Sequence, residues 1–341
     1  MQRFWVVALA GGLVACGSAP PPEPEAPRRT AKEAKKELRG LIDEAYRVMR
    51  DGTPSDAMGL LAPDLFFIGP GPADVGLDRV GVLELAGALV DDRKQHKLKS
   101  FGLELFAGPD GRSAYAIDQL EYDGVAFAVT AVAAEIDGLW SLTTLEVTRA
   151  ISSRKLASAV APGPLPRWRP EDGSKAAHAE APRAMLAALG LAADDVDDRL
   201  RQYGKDDDAA FVGPSPDEVS LGAKAIGKRW KKQAPRWTVA ATVAGASPDG
   251  ALVWVVANAT KVEVTDDRDR DRDRDRDRDR DRKRKDDRDE DADDDAAEPT
   301  AGPPRRLFAL YRDDGGDAGW GLALLHEAVV VAREPTAAST R

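Results

Sequence analysis

FIGPGPADVGL, running from Phe67 to Leu77, returns later in the chain as FVGPSPDEVSL, from Phe211 to Leu221. Each copy joins an aromatic and a β-branched residue to Gly-Pro, and each places an acid, Asp74 or Glu218, at the eighth position. Glycine and proline between a strand and a helix force the chain to leave the sheet through a tight, rigid loop. The acid is then expected near the N-terminus of the following helix, where negative charge is favoured.

The same order of elements surrounds both copies. Before the first, Leu38, Leu41, Ile42, Ala45 and Met49 recur at three- and four-residue steps, which predicts an amphipathic helix with Thr30 as its cap. A strand from Leu65 to Ile68 enters the phrase, and DRVGVLELAGALVDD after it has a helical pattern. Four strands are expected next, Leu98 to Phe106, Ser113 to Tyr122, Val125 to Ile136 and Trp140 to Ala150, joined by GPDG, YDG and IDG turns. In the second pass, APRAMLAALG and DDVDDRLRQY are helical, AAFVG is a strand, and GAKAIGKRWKKQ is a helix. The strands WTVAATVAG, ALVWVVANATKVEV and RRLFALYRDD follow. ASPDG matches AGPDG, and Trp140, Leu142 and Leu145 match Trp320, Leu322 and Leu325. The phrase recurs because the unit around it recurs. The expected fold is α+β, with tandem cone-shaped domains at 30–150 and 174–333, each a curved antiparallel sheet packed on N-terminal helices, joined by a Pro-rich linker at 151–173.

A chain of 341 residues has room for two such units. Its net charge of −10 argues against nucleic acid as a partner. Much of the charge lies in residues 266–295, with 17 acids and 12 bases in a largely alternating Arg-Asp run. Alternation puts like charges at i,i+4 in a helix, and a strand of this composition buries nothing. The run is expected to be a disordered insertion in the second domain, extending over 266–304. Residues 334–341 form a tail.

MQRFWVVALAGGLVAC, residues 1–16, has a basic start and then an apolar run too short to span a bilayer, the pattern of an export signal. Leu13-Val14-Ala15-Cys16 resembles the lipobox of bacterial lipoproteins, and Cys16 is the one cysteine in the chain. The resemblance implies cleavage before Cys16, its acylation with palmitate-class chains and attachment to the lipid bilayer of the cell envelope. Gly17 in place of aspartate favours the outer membrane. Residues 17–29 are a Pro-rich tether.

With these anchors, each unit resembles the SnoaL-like group of the nuclear transport factor 2-like superfamily. The resemblance rests on F-[IV]-G-x-x-P-x-[DE], on PDG before an aromatic strand at Tyr115 or Trp254, and on the final strand from Trp140 or Trp320. His326 falls six residues after Trp320, where the family often has histidine, whereas the first copy has Glu146. The family includes isomerases and cyclases as well as ligand-binding and assembly modules, so the fold leaves function open. Strand alternation groups Tyr115, Ile117, Gln119 and Glu121 on one face, matched by Trp254, Val256, Asn258 and Thr260. The pocket candidates are therefore Tyr115, Gln119, Trp140, Trp254, Asn258, Trp320 and His326. His96 and His178 sit in polar, exposed contexts. No metal-binding spacing, phosphate loop or nucleophile elbow occurs, so neither catalytic residue nor cofactor nor metal is assigned. The expected function is a non-catalytic module for a small apolar ligand or an envelope protein. The alternative is an isomerase- or cyclase-like enzyme using a pocket carboxylate.

Overall fold

The computed structural model describes residues 29–72, 74–89, 96–152, 154–155, 179–191, 196–203, 208–233, 236–262, 301–313 and 319–331. The expected signal, Cys16, the tether apart from Arg29, His178, most of the linker, the charged run and the tail lie outside them.

Thr30 opens the first helix, α1 (Ala31–Asp51), through a reciprocal cap: its hydroxyl accepts from Glu33 N, and the Glu33 carboxylate accepts from Thr30 N at 2.8 Å. The buried stripe is Ala34, Leu38, Leu41, Ile42 and Val48. Met49, expected on that stripe, is exposed, and its neighbour Val48 takes the buried position in the last turn.

β1 (Leu61–Ile68) leads into the quoted phrase. The phrase does not hand the chain directly to a helix. It closes a hairpin onto a three-residue strand, β2 (Val75–Leu77), before α2 (Arg79–Leu89). The acid folds back onto its own loop: Gly69 N donates to Asp74 O at 2.6 Å, and Gly71 N donates to the Asp74 carboxylate at 2.9 Å. The second copy repeats both bonds, Gly213 N to Glu218 O at 2.7 Å and Ser215 N to the Glu218 carboxylate at 3.2 Å. A β-carbon on Gly69 would lie 2.7 Å from Asp74 Cβ, and one on Gly213 would lie 2.6 Å from a Glu218 oxygen, which is why both positions are glycine.

The first sheet continues with β3 (Leu98–Ser100), β4 (Glu104–Ala107), β5 (Ser113–Tyr122), β6 (Val125–Ile136) and β7 (Leu139–Arg149). Asp123-Gly124 and Asp137-Gly138 have positive φ throughout, the geometry that two-residue hairpins need. The expected single strand over Leu98 to Phe106 is broken at 101–103. His96, expected exposed, is buried at the start of this segment, with Nδ1 2.7 Å from an Asp123 oxygen and its ring stacked on Tyr122.

The second half comprises α3 (Glu180–Leu191), α4 (Val196–Arg201), β8 (Ala210–Val212), β9 (Val219–Leu221), α5 (Ala223–Gln233), β10 (Trp237–Ala246), β11 (Leu252–Val262), β12 (Ala301–Asp313) and β13 (Trp320–Val329). β12 begins before the expected end of the insertion at Pro304. There it pairs with β11 alone, since β13 reaches only to the level of Arg305, and a proline is tolerated on a strand side with no neighbour.

The strand orders correspond. The first sheet runs β2-β1-β7-β6-β5, with β3 and β4 both on β5, and the second runs β9-β8-β13-β12-β11-β10. The registers correspond too: Phe67 faces Leu145 and Ile68 faces Glu146, as Phe211 faces Leu325 and Val212 faces His326. Neither sheet is wholly antiparallel. The first strand of each half lies parallel to the last, an arrangement that a long intervening connection permits. The fold is α+β, with two curved mixed sheets. Helices cover one face of each, over a core of Leu38, Leu61, Phe67 and Ala133 in the first half and of Leu186, Phe211, Trp230 and Leu325 in the second.

Candidate functional site

The sheet faces that carry no helices are buried against each other. Tyr115, Ile117 and Val132 of the first half share one apolar layer with Trp254, Val256, Phe308 and Leu310 of the second. Phe66 stacks on Trp254 with centroids 4.4 Å apart, and Phe106 stacks on Tyr115 at 4.7 Å. The aromatic sizes are balanced across the strands. Tyr115 pairs with Phe106, whereas Trp254 pairs with Gly245, where a methyl group would overlap the indole.

Contacts across this layer are reciprocal. Ile151 N donates to Pro214 O at 2.9 Å, and Val331 N donates to Pro70 O at 3.1 Å. Each half thus sends the residue just beyond its last strand to the proline of the other half's FxGP loop. This is the relation that a two-fold, self-complementary interface imposes. The PDG turns also meet: Asp110 lies beside its counterpart Asp249, and burial, reinforced by the Asp249 charge, raises the Asp110 carboxyl above its ordinary value.

At the centre lies a closed polar cluster. Glu146 and His326, which hold the same position in the two halves, approach each other, with Glu146 Oε2 2.8 Å from His326 Nδ1. Both are fully buried. The hydroxyls of Thr130 and Thr148 bracket the imidazole at 3.1 and 3.0 Å. Arg306 donates to the carbonyls of Gly69 and Gly71 at 2.8 and 3.3 Å, so it ties the first half's phrase to the second sheet. Burial lowers Arg306 to about 10, against the opposing pull of Glu146 and Asp74. Identical residues at the Glu146 and His326 positions would set like against like. Their divergence gives a complementary pair instead.

Of the residues expected at a pocket, Tyr115 and Trp254 lie in this layer and His326 at its polar centre. Asn258 is buried on the same strand face as Trp254, and Gln119 is half-buried on the face of Tyr115. Trp140 and Trp320 are separate from these, half-buried against the helix-covered cores of their own halves. Sequence reasoning set Asp118 on the face of Tyr122 as a solvated carboxylate and missed its burial and its phenol donor. Asp118, in the middle of β5, accepts from Tyr46 OH of α1 at 2.5 Å and from Gly102 N at 3.3 Å. Burial, followed by the Asp118 charge, pushes the Tyr46 phenol well above its usual range. The legible signal was an acid in the apolar stretch of β5 that begins at Ala114, at a position whose counterpart in the second half is Ala257. Among the described residues, no three His, Cys, Asp or Glu side chains are grouped to hold a metal ion.

Comparison with protein-family models and with curated proteins finds no match. Solved structures similar to this chain include an uncharacterized protein with a cystatin-like fold from Caulobacter vibrioides, at 17% identity and a TM-score of 0.32 over 37% of this chain and 95% of that one. A nuclear transport factor 2-like protein of unknown function from Pseudomonas putida is similar at 13% identity and a TM-score of 0.32, over 36% and 92% of the two chains. A nuclear transport factor 2-like superfamily protein from Salmonella enterica is similar at 14% identity and a TM-score of 0.31, over 36% and 94%.

Proposed function

We propose that this chain is a lipoprotein of the bacterial cell envelope, acylated at Cys16 and held on the outer membrane. In this reading two SnoaL-like units, at 30–150 and 174–333, arose by internal duplication and form a non-catalytic module for a small apolar ligand or an envelope protein. The reciprocal pairing of the two helix-free sheet faces carries it, because a duplicated unit that closes on its own copy makes a rigid two-part body. Most of the residues on the shared face are enclosed in that contact, where they act as packing. No helix among the described residues is long and apolar enough to cross a membrane, and the anchor in this reading is lipid.

Two measurements test the proposal. Palmitate labelling of cells expressing the chain should mark it, and Cys16→Ser should abolish the label and release the protein to the soluble envelope fraction. An unlabelled wild-type chain contradicts the anchor. Native mass spectrometry of the chain extracted from its membrane should then show a retained small molecule or a bound protein, and a bare monomer contradicts the binding role. The Asp118–Tyr46 pair favours a second reading, an isomerase- or cyclase-like enzyme with Asp118 as base. On that reading Asp118→Asn removes a turnover that the wild type displays on an enolisable ketone.

A further inference from the structure

We propose a ligand site present in the first half and closed in the second: a cleft that takes a small molecule with an apolar body and a protonated amine. The proposal rests on the binding-module reading and names the ligand class. The cleft measures about 210 Å³ and lies where the β4–β5 side of the first sheet passes the β8–β9 side of the second.

Comparison of the two halves shows why it exists. In the second half β10 runs unbroken from Trp237 to Ala246, and Val243, paired with Val256, is buried in the layer between the sheets. In the first half the matching strand is interrupted between β3 and β4, and Glu104, paired with Ile117, holds the place of Val243. The neighbouring Ala257 of the second half is replaced by Asp118. Apolar closure at one end of the molecule thus becomes a polar opening at the other.

The lining specifies the ligand. Ile117, Val212, Val219 and Leu221 supply an apolar wall drawn from both halves, and Leu221 stands on the rim with 39% exposure. Gln119 Nε2 is buried without a hydrogen-bond partner, and reversing the amide would leave its oxygen in the same state. Asp118 and Glu104 are both acids and both line the space. Asp118 retains acceptor capacity beyond the bonds from Tyr46 and Gly102. The neighbouring cation, Lys99, is engaged over the Phe101 ring, 4.7 Å from its centroid. A bound ammonium group would meet the Glu104 carboxylate, on the face of Ile117, while an acceptor on the ligand meets Gln119.

The test is calorimetric titration of the full chain with phenethylamine, 2-phenylethanol and 3-phenylpropionate, which share an apolar body and differ in charge. The amine should bind at least tenfold more tightly than the other two. Leu221→Lys, a change at an exposed position, should abolish amine binding with the melting temperature unchanged, and Glu104→Gln should reduce the preference for the amine. Absence of amine binding to the wild type overturns the site, and equal binding of all three probes overturns the amine assignment. Amine binding undisturbed by Leu221→Lys places the ligand elsewhere and also overturns the site. If the chain extracted from its membrane retains a molecule while failing these titrations, the module reading stands and the cleft falls. If it retains nothing but binds the amine, the reverse holds.

Discussion

Replacing Trp254 with alanine is expected to lower the stability of the whole chain by about 3–5 kcal/mol in urea unfolding, the range for truncating a large aromatic in a packed interior. Trp254 is 5% exposed, lies in the layer between the sheets and stacks on Phe66 of the other half. Its loss opens a cavity that Gly245, with no side chain, does nothing to fill. The stack itself contributes a further share of about 0.5–1.5 kcal/mol within that total. Because the residue serves both halves, signals from both should shift together. Leu139→Ala, at a position 73% exposed, should change stability by less than about 0.5 kcal/mol and serves as the control.

Arg305→Met should cost a similar amount, about 3–5 kcal/mol, for an electrostatic reason. Arg305 Nε donates to Glu327 at 2.9 Å, and both side chains are buried. Burial already raises the Glu327 carboxyl above its ordinary value of 4.5, opposed by Arg305 and then by Lys261. Without Arg305 the carboxylate keeps its desolvation penalty and loses its main compensation. The sign of the pH effect follows from the raised value. The folded chain holds the Glu327 proton more tightly than the unfolded chain, so this group's contribution becomes less favourable as pH rises from 4.5 through the folded value. The deficit of the variant should therefore be largest at neutral pH and shrink toward pH 4.5. Adding Glu327→Leu should recover most of the loss, since an apolar pair of similar size needs no ion solvation. A deficit independent of pH, and not recovered by the double change, would contradict the assignment.

The elements were largely legible because their local physics is strong. Ser113–Tyr122 and Val125–Ile136 occur with their expected bounds, fixed by Asp-Gly turns whose positive φ few other residues tolerate. The hairpin inside the repeated phrase was not legible, since Val75–Leu77 and Val219–Leu221 are too short to show an alternating pattern. Strand alternation grouped Tyr115 with Gln119 and Trp254 with Asn258 correctly, but it cannot say whether a face meets helices, solvent or another sheet. That choice depends on how the halves meet, and Ile151 and Val331 reveal it only through bonds to the distant Pro214 and Pro70. Asp118 was hidden for a related reason: its donor, Tyr46, comes from the first helix. The mismatch of Glu146 with His326 looked like a failed correspondence in sequence, and in space it is a pair.

The halves hold each other through this interface and not merely through the chain that joins them. A protease site placed within residues 156–178 and cut in the folded protein tests it directly. The two fragments should travel through gel filtration as one species of intact size in native buffer and separate only in urea. Elution as two independent fragments without denaturant would contradict it.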